Sequence, residues 1–209
     1  MKQSPNRFLM PIVIACMALL IADPVSAAAV TSTGSGDWNN AGSWDVGVPG
    51  AADDVTISAG HTITINGLAI ITINSLVVDG TLDHANNTTT EANKIDLNIA
   101  TTLTIAPGGS IDLEGLGYLD NYHPTGTMPG NGYGMGGSHG GRGGKGRYSE
   151  DRHALATYGS VIAPTNSGAG GYGYSGTPSG GGAVKIVAGG AATINGTIDA
   201  DGQGHTANL

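Results

Sequence analysis

Three short stretches of this chain repeat the same corner: Gly80-Thr81-Leu82-Asp83, Gly109-Ser110-Ile111-Asp112 and Gly196-Thr197-Ile198-Asp199. Each is glycine, then a hydroxyl residue, an aliphatic residue and an aspartate, and each follows an apolar run with strand periodicity. A unit that cannot bury its apolar side alone, yet recurs, buries it against its own neighbours. The last two copies extend further, as Asp112-Leu113-Glu114-Gly115-Leu116-Gly117 and Asp199-Ala200-Asp201-Gly202-Gln203-Gly204. The same turn is therefore expected at the same place in successive layers of the fold.

Period-two alternation surrounds these corners. His61-Thr62-Ile63-Thr64-Ile65-Asn66, Ile71-Thr72-Ile73-Asn74, Ile95-Asp96-Leu97-Asn98-Ile99, Leu103-Thr104-Ile105 and Val184-Lys185-Ile186 put aliphatic side chains on one face and polar ones on the other. Bounded by Gly, Asn and Asp, such runs read as strands separated by tight turns. Only Ser149 to Ala156 has a helical pattern, of about two turns. The fold expected is all-β, a right-handed parallel β-helix (solenoid) whose coils occupy residues 53–114 and 183–209. Ile63, Ile65, Ile73, Leu82, Leu103, Ile105, Ile111, Val184, Ile186, Ile194 and Ile198 should point inward. The alternative is a β-sandwich, which does not require a recurring corner.

Residues 115–182 interrupt the repeats. Glycine makes up 22 of these 68 residues, with Tyr, Ser, Asn and His between them. The tract is too poor in apolar side chains to form its own core. It is expected as a loop insertion that leaves one coil and returns beside it. The chain stops at Leu209 just after a repeat, without a cap, so a fragment of a longer protein is the expectation.

The first 27 residues read as an export signal. Lys2 and Arg7 precede an apolar stretch from Phe8 to Ala22, and Val25-Ser26-Ala27 offers the small residues a signal peptidase reads, with cleavage after Ala27. The stretch is shorter than the roughly 20 residues needed to span a bilayer, so no transmembrane helix is expected in the mature chain. Val13-Ile14-Ala15-Cys16 also fits a lipoprotein box, but the apolar run continues beyond Cys16. With the signal removed, no cysteine remains, and residues 28–52 precede the first coil. The net charge is −8 with eight Lys and Arg in all, which gives no electrostatic grip on nucleic acid or anionic lipid.

Trp38, Trp44, Gly47, Pro49, Asp53, Asp54, Val55, Ile57 and Gly60 form the pattern W-x5-W-x2-G-x-P-x3-D-D-V-x-I-x2-G. It resembles the opening of the eight-glycine domain and of many bacterial surface β-helix and autotransporter-type proteins, over roughly residues 34–115. From Gly168 onward, the run into Val184-Lys185-Ile186-Val187 and Ile194-Asn195-Gly196-Thr197-Ile198 is similar to coils of very large secreted bacterial proteins. The resemblance implies adhesion, surface display or polysaccharide processing. On physical grounds Trp38 and Trp44 suit a plug at the open end of the coils, or else an aromatic platform for sugar.

Asp112 with Glu114, and Asp199 with Asp201, should project from one face of adjacent coils, about 4.8 Å apart. Carboxylates so placed either share a calcium ion or cap their own turns; both readings stand. Gly136-Gly137-Ser138-His139-Gly140 matches a nucleophile elbow and Gly132 to Gly137 a dinucleotide fingerprint, but neither lies between a strand and a helix. The six histidines lack ligand spacing for zinc. The insertion gathers Asp120, His123, His139, Arg142, Lys145, Arg147, Glu150, Asp151, Arg152 and His153, a mixture that β-elimination beside a sugar carboxylate could use. The expected function is a non-enzymatic, exported cell-surface structural or adhesion module. The alternatives are a polysaccharide lyase or glycoside hydrolase, and a module that binds extracellular glycans.

Overall fold

The computed structural model describes residues 27–127, 136–144, 156–172 and 179–203. The signal segment, Cys16, the helical stretch from Ser149 and the basic residues from Lys145 to Arg152 lie outside the described residues, as does His205. Among the described residues fifteen strands follow one another. They are β1 (Ala29–Thr31), β2 (Gly36–Asp37), β3 (Asp54–Ile57), β4 (Thr62–Ile65) and β5 (Ile71–Ile73). Next come β6 (Ser75–Val78), β7 (Thr81–His84), β8 (Ile95–Ile99), β9 (Leu103–Ile105) and β10 (Ser110–Asp112). The last are β11 (Tyr122–His123), β12 (Gly126–Thr127), β13 (Val184–Ala188), β14 (Ala192–Ile194) and β15 (Thr197–Asp199). Among the described residues the only helical element is a 3-10 turn, Ala41–Ser43, capped by the Asn40 side chain.

The protein is all-β, and its three larger sheets are parallel. Sheet I runs β1-β3-β6-β9-β14, sheet II β15-β10-β7-β4-β2, and sheet III β13-β8-β5; β11 and β12 make a small antiparallel pair. From β5 onward the chain visits the sheets in one order, III, I, II, and each visit adds a strand beside the previous one. The circuits β5-β6-β7, β8-β9-β10 and β13-β14-β15 are the result.

Register follows from the alternation. In sheet I, Ile57, Val78, Ile105 and Ile194 share one column; in sheet II, Ile63, Leu82, Ile111 and Ile198 do; in sheet III, Ile71, Leu97 and Ile186 do. A slip of one residue would send every aliphatic side chain to the outside, so burial fixes the pairing. Ile63, Ile65, Ile73, Leu82, Leu103, Ile105 and Ile111 are buried as the alternation predicts. Each contributes roughly 1.5–3 kcal/mol for leaving water.

Two of the inward positions keep the expected direction but are not covered. Ile194 is 52% and Ile198 40% exposed, although they continue the buried columns. β14 and β15 are the last strands of their sheets, so each side chain is covered from one side only. Val184 and Ile186, on β13, are partly buried for the same reason. At the opposite end Trp38 and Trp44 are both buried, packed edge to face at 5.1 Å, with Trp44 Nε1–H donating to the Trp38 carbonyl. They cover the columns beneath β1 and β2 and present no exposed ring, which removes the sugar-platform reading.

The glycine of the repeated corner has a steric cause. A Cβ on Gly80 would fall on the carbonyl oxygens of Ser58 and His61, one on Gly109 on that of Val78, and one on Gly196 on that of Gly109. Each corner lies directly on the corner before it, with no room for a side chain.

The glycine-rich tract has an order of its own that composition does not state. Its described parts pack as backbone on backbone: Gly117 N–H donates to Gly180 C=O, Tyr118 N–H to Gly168 C=O, Gly180 N–H to Tyr118 C=O and Gly168 N–H to Gly181 C=O, all at 2.7–2.9 Å. Cβ atoms on Gly117, Gly168 or Gly180 would strike those neighbouring chains. Without side chains the segments approach closely enough to satisfy one another's polar groups, which replaces an apolar core. A small ring cluster fills the remainder, with His123, His139 and Tyr118 each set edge to face around Tyr158.

Candidate functional site

The acidic corners come together as the repeat predicts. β10 and β15 pair in parallel with Asp112 opposite Asp199, 87 positions apart in the chain. Each aspartate uses Oδ1 to accept the amide N–H two residues on, from Glu114 at 3.2 Å and Asp201 at 2.9 Å. These are the same Asx turn built twice, the turn-cap arrangement. Asp83 lies one residue beyond the Leu82–Ile111 pair, so the row continues onto β7. Burial raises the Asp83 carboxyl above the ordinary carboxylate range, a hydrogen bond with Thr64 opposes this, and the Asp112 charge adds to the rise. Among the described residues no three His, Cys, Asp or Glu side chains converge as a metal site. Asp112, Glu114, Asp199 and Asp201 therefore neighbour one another without forming a ready set of calcium ligands.

The other candidates disperse. Ser138 of the elbow-like pentapeptide is fully buried, and its Oγ accepts from Gly143 N–H, so it offers no exposed nucleophile. His123 is 1% exposed; its Nδ1 accepts from Thr125 N–H, and burial lowers its pKa. His139 leans on Tyr158 with Nε2 enclosed near Gly159. Burial pushes the Tyr158 hydroxyl well above its ordinary value, and that hydroxyl donates to Ser167 C=O at 2.7 Å. These groups hold the tract together rather than facing a common point in solvent.

Two residues, Asn87, which the sequence reading did not single out, and His84, which it weighed only as one of six histidines without zinc-ligand spacing, organise the place where the tract leaves and returns. Asn87 is fully buried, with all four side-chain hydrogen-bonding positions in use. Its Oδ1 accepts from Ala92 and Asn93 N–H at 2.8 Å, and its Nδ2 donates to Asn93 C=O and Ser167 Oγ at 2.9 and 3.0 Å. One carboxamide thus shapes the loop after β7 and ties the tract to it. His84, the last residue of β7, is 1% exposed and accepts from Ala183 N–H through Nε2 at 3.1 Å. The signal for His84 was present: in Thr81-Leu82-Asp83-His84, alternation assigns it the same inward side as Leu82. Asn87 had none, since it sits among polar loop residues.

Beside this junction a cleft of about 500 Å³ opens between the tract and the outermost circuit, lined by residues that include His139, Asn166, Gly181, Val184 and Ala200. None of its described lining residues carries a formal charge other than through histidine.

No family model, curated protein or solved structure matches this chain. The site must therefore be read from its own chemistry. The described residues show a stiff parallel stack, an acidic row of turn caps, and a glycine-rich flank with an uncharged cleft. No helix among them is long and apolar enough to cross a membrane.

Proposed function

We propose that the chain is a right-handed parallel β-helix that is exported and serves as a non-enzymatic structural or adhesion module at the cell surface. The observation that carries this reading is the constant order in which the circuits visit three parallel sheets, with register kept across an 87-residue gap. Such a stack is a rigid support, and the glycine-rich tract on its flank is the part that varies the surface it presents. Among the described candidates, His123 and Ser138 support this choice over a lyase or hydrolase, because both are consumed in internal contacts. Extracellular glycans are the partner class that suits a cleft without formal charge. The Asp corners act first as turn caps in this reading, with calcium as an additional occupant to be tested below.

The test is expression of the full chain with its own leader, followed by cell fractionation and protease shaving of intact cells. Export predicts a mature start at Ala28 and loss of the protein on shaving. Recovery in the cytoplasm with Met1 retained, or a mature start at a lipidated Cys16, overturns it. Purified protein should then coat beads and retain them on glycan-bearing surfaces without altering the glycan; release of shortened or unsaturated sugars would establish the enzyme reading instead.

A further inference from the structure

We propose that His84 is a proton-operated latch: its neutral imidazole holds the chain at its re-entry from the glycine-rich tract, and protonation releases the outermost circuit, β13 to β15. The hydrogen bonds define the tautomer. Nδ1 lies 2.9 Å from the Ala85 carbonyl, which can only accept, so Nδ1 carries the proton. Nε2 faces the Ala183 N–H, which can only donate, so Nε2 is the bare acceptor. A second proton on the ring turns that contact into two donors facing one another. The ring lies close against the Gly182 backbone, where a Cβ would fall on Nε2, so there is no room on that side for it to turn away. At 1% exposure the imidazole is shielded from solvent.

The circuit held by this contact is the least buried of the three. Val184, Ile186 and Ala188 pack only partly on the core, and Ile194 and Ile198 are largely exposed. β13, β14 and β15 are joined to β8, β9 and β10 by backbone pairing, and Ala183 stands immediately before β13. The His84–Ala183 bond spans 99 positions, so it closes the entire excursion.

The charges around the ring are few. Asp83 on the same strand and Glu91 in the following loop favour the imidazolium, but burial outweighs them, and the pKa lies below the ordinary histidine value. Leu113, Gly182 and Ala183 bring no charge, and Lys185 beyond them is engaged by Asp96 at 3.4 Å. A depressed pKa means that the unfolded or released state binds the proton more readily. The stabilisation is therefore complete above the ordinary value of about 6.5 and is lost as pH falls from there toward the folded-state pKa.

The test is hydrogen exchange on the full chain from about pH 7.5 down to pH 4.5, corrected for intrinsic exchange rates. Residues 184–188 are compared with residues 62–65 of β4 in the same sample. The protection ratio should be constant above pH 7 and then fall by up to tenfold per pH unit, the limit for one linked proton. His84→Gln keeps an acceptor for Ala183 without titrating and should give a flat ratio; His123→Gln, a buried histidine elsewhere, should leave the wild-type fall in place. A ratio independent of pH in the wild type, or the same fall in His84→Gln, overturns the latch. Should His84→Gln not fold, nitrogen NMR of the wild-type ring decides. Loss of the neutral Nδ1–H tautomer together with β13 protection supports the latch, and an imidazolium at pH 6.5 beside a fully protected β13 overturns it.

Discussion

Replacing Asn87 with alanine removes four hydrogen bonds from one buried point and nothing else of size. Two of the partners, the amides of Ala92 and Asn93, belong to a loop with exposed positions, so water can partly replace the lost acceptor. Ser167 Oγ is fully buried and has no such recourse. Taking about 0.5–1 kcal/mol for each of the three bonds that water can substitute and about 1–2 kcal/mol for the stranded hydroxyl gives a loss of roughly 2.5–5 kcal/mol. For a domain of this size that is a fall in Tm of about 5–20 °C. Urea melts followed by circular dichroism measure it. Asn87→Asp should be at least as destabilising as Asn87→Ala, because it keeps both acceptor bonds but buries a carboxylate against the Asn93 carbonyl oxygen. Exposed Thr90→Ala serves as the control and should change nothing. A loss below about 1 kcal/mol in Asn87→Ala would show that the loop and the tract do not depend on this carboxamide.

Three further outcomes are expected. The Ala28 N–H donates to Asp53 Oδ1 at 3.0 Å, so cleavage after Ala27 places a new ammonium on that carboxylate, and Asp53→Asn should destabilise the processed chain more than the unprocessed one in thermal melts. Gly109→Ala drives a Cβ into the Val78 carbonyl and should cost about 1–3 kcal/mol or prevent folding, whereas Gly108→Ala, which has open space but a φ of 90°, should cost about 1 kcal/mol in the same denaturation assay. Asp112→Asn with Asp199→Asn preserves both Asx turns and should leave the melting temperature unchanged or slightly raised at low salt; a calcium-dependent rise in the wild type that the double variant lacks would instead establish a shared cation site.

Much of the fold was legible because a strand's period is two and its corner sequence recurs. Alternation alone assigned Ile63, Ile65, Leu82, Ile105 and Ile111 to the core, and the shared Gly-[Ser/Thr]-aliphatic-Asp corner placed Asp112 opposite Asp199 across the intervening tract. It did not reveal that Ile194 and Ile198 stay exposed, since parity states which way a side chain points and not whether another strand lies beyond it. Composition likewise did not state how the tract packs. A count of apolar side chains detects a core built from side chains, whereas Gly117, Gly168 and Gly180 pack through their backbones. The junction at His84, Asn87 and Ala183 was decided by tertiary structure alone. Its bonds join residues 80 and 99 positions apart, and no local pattern states which buried donor a distant acceptor will meet.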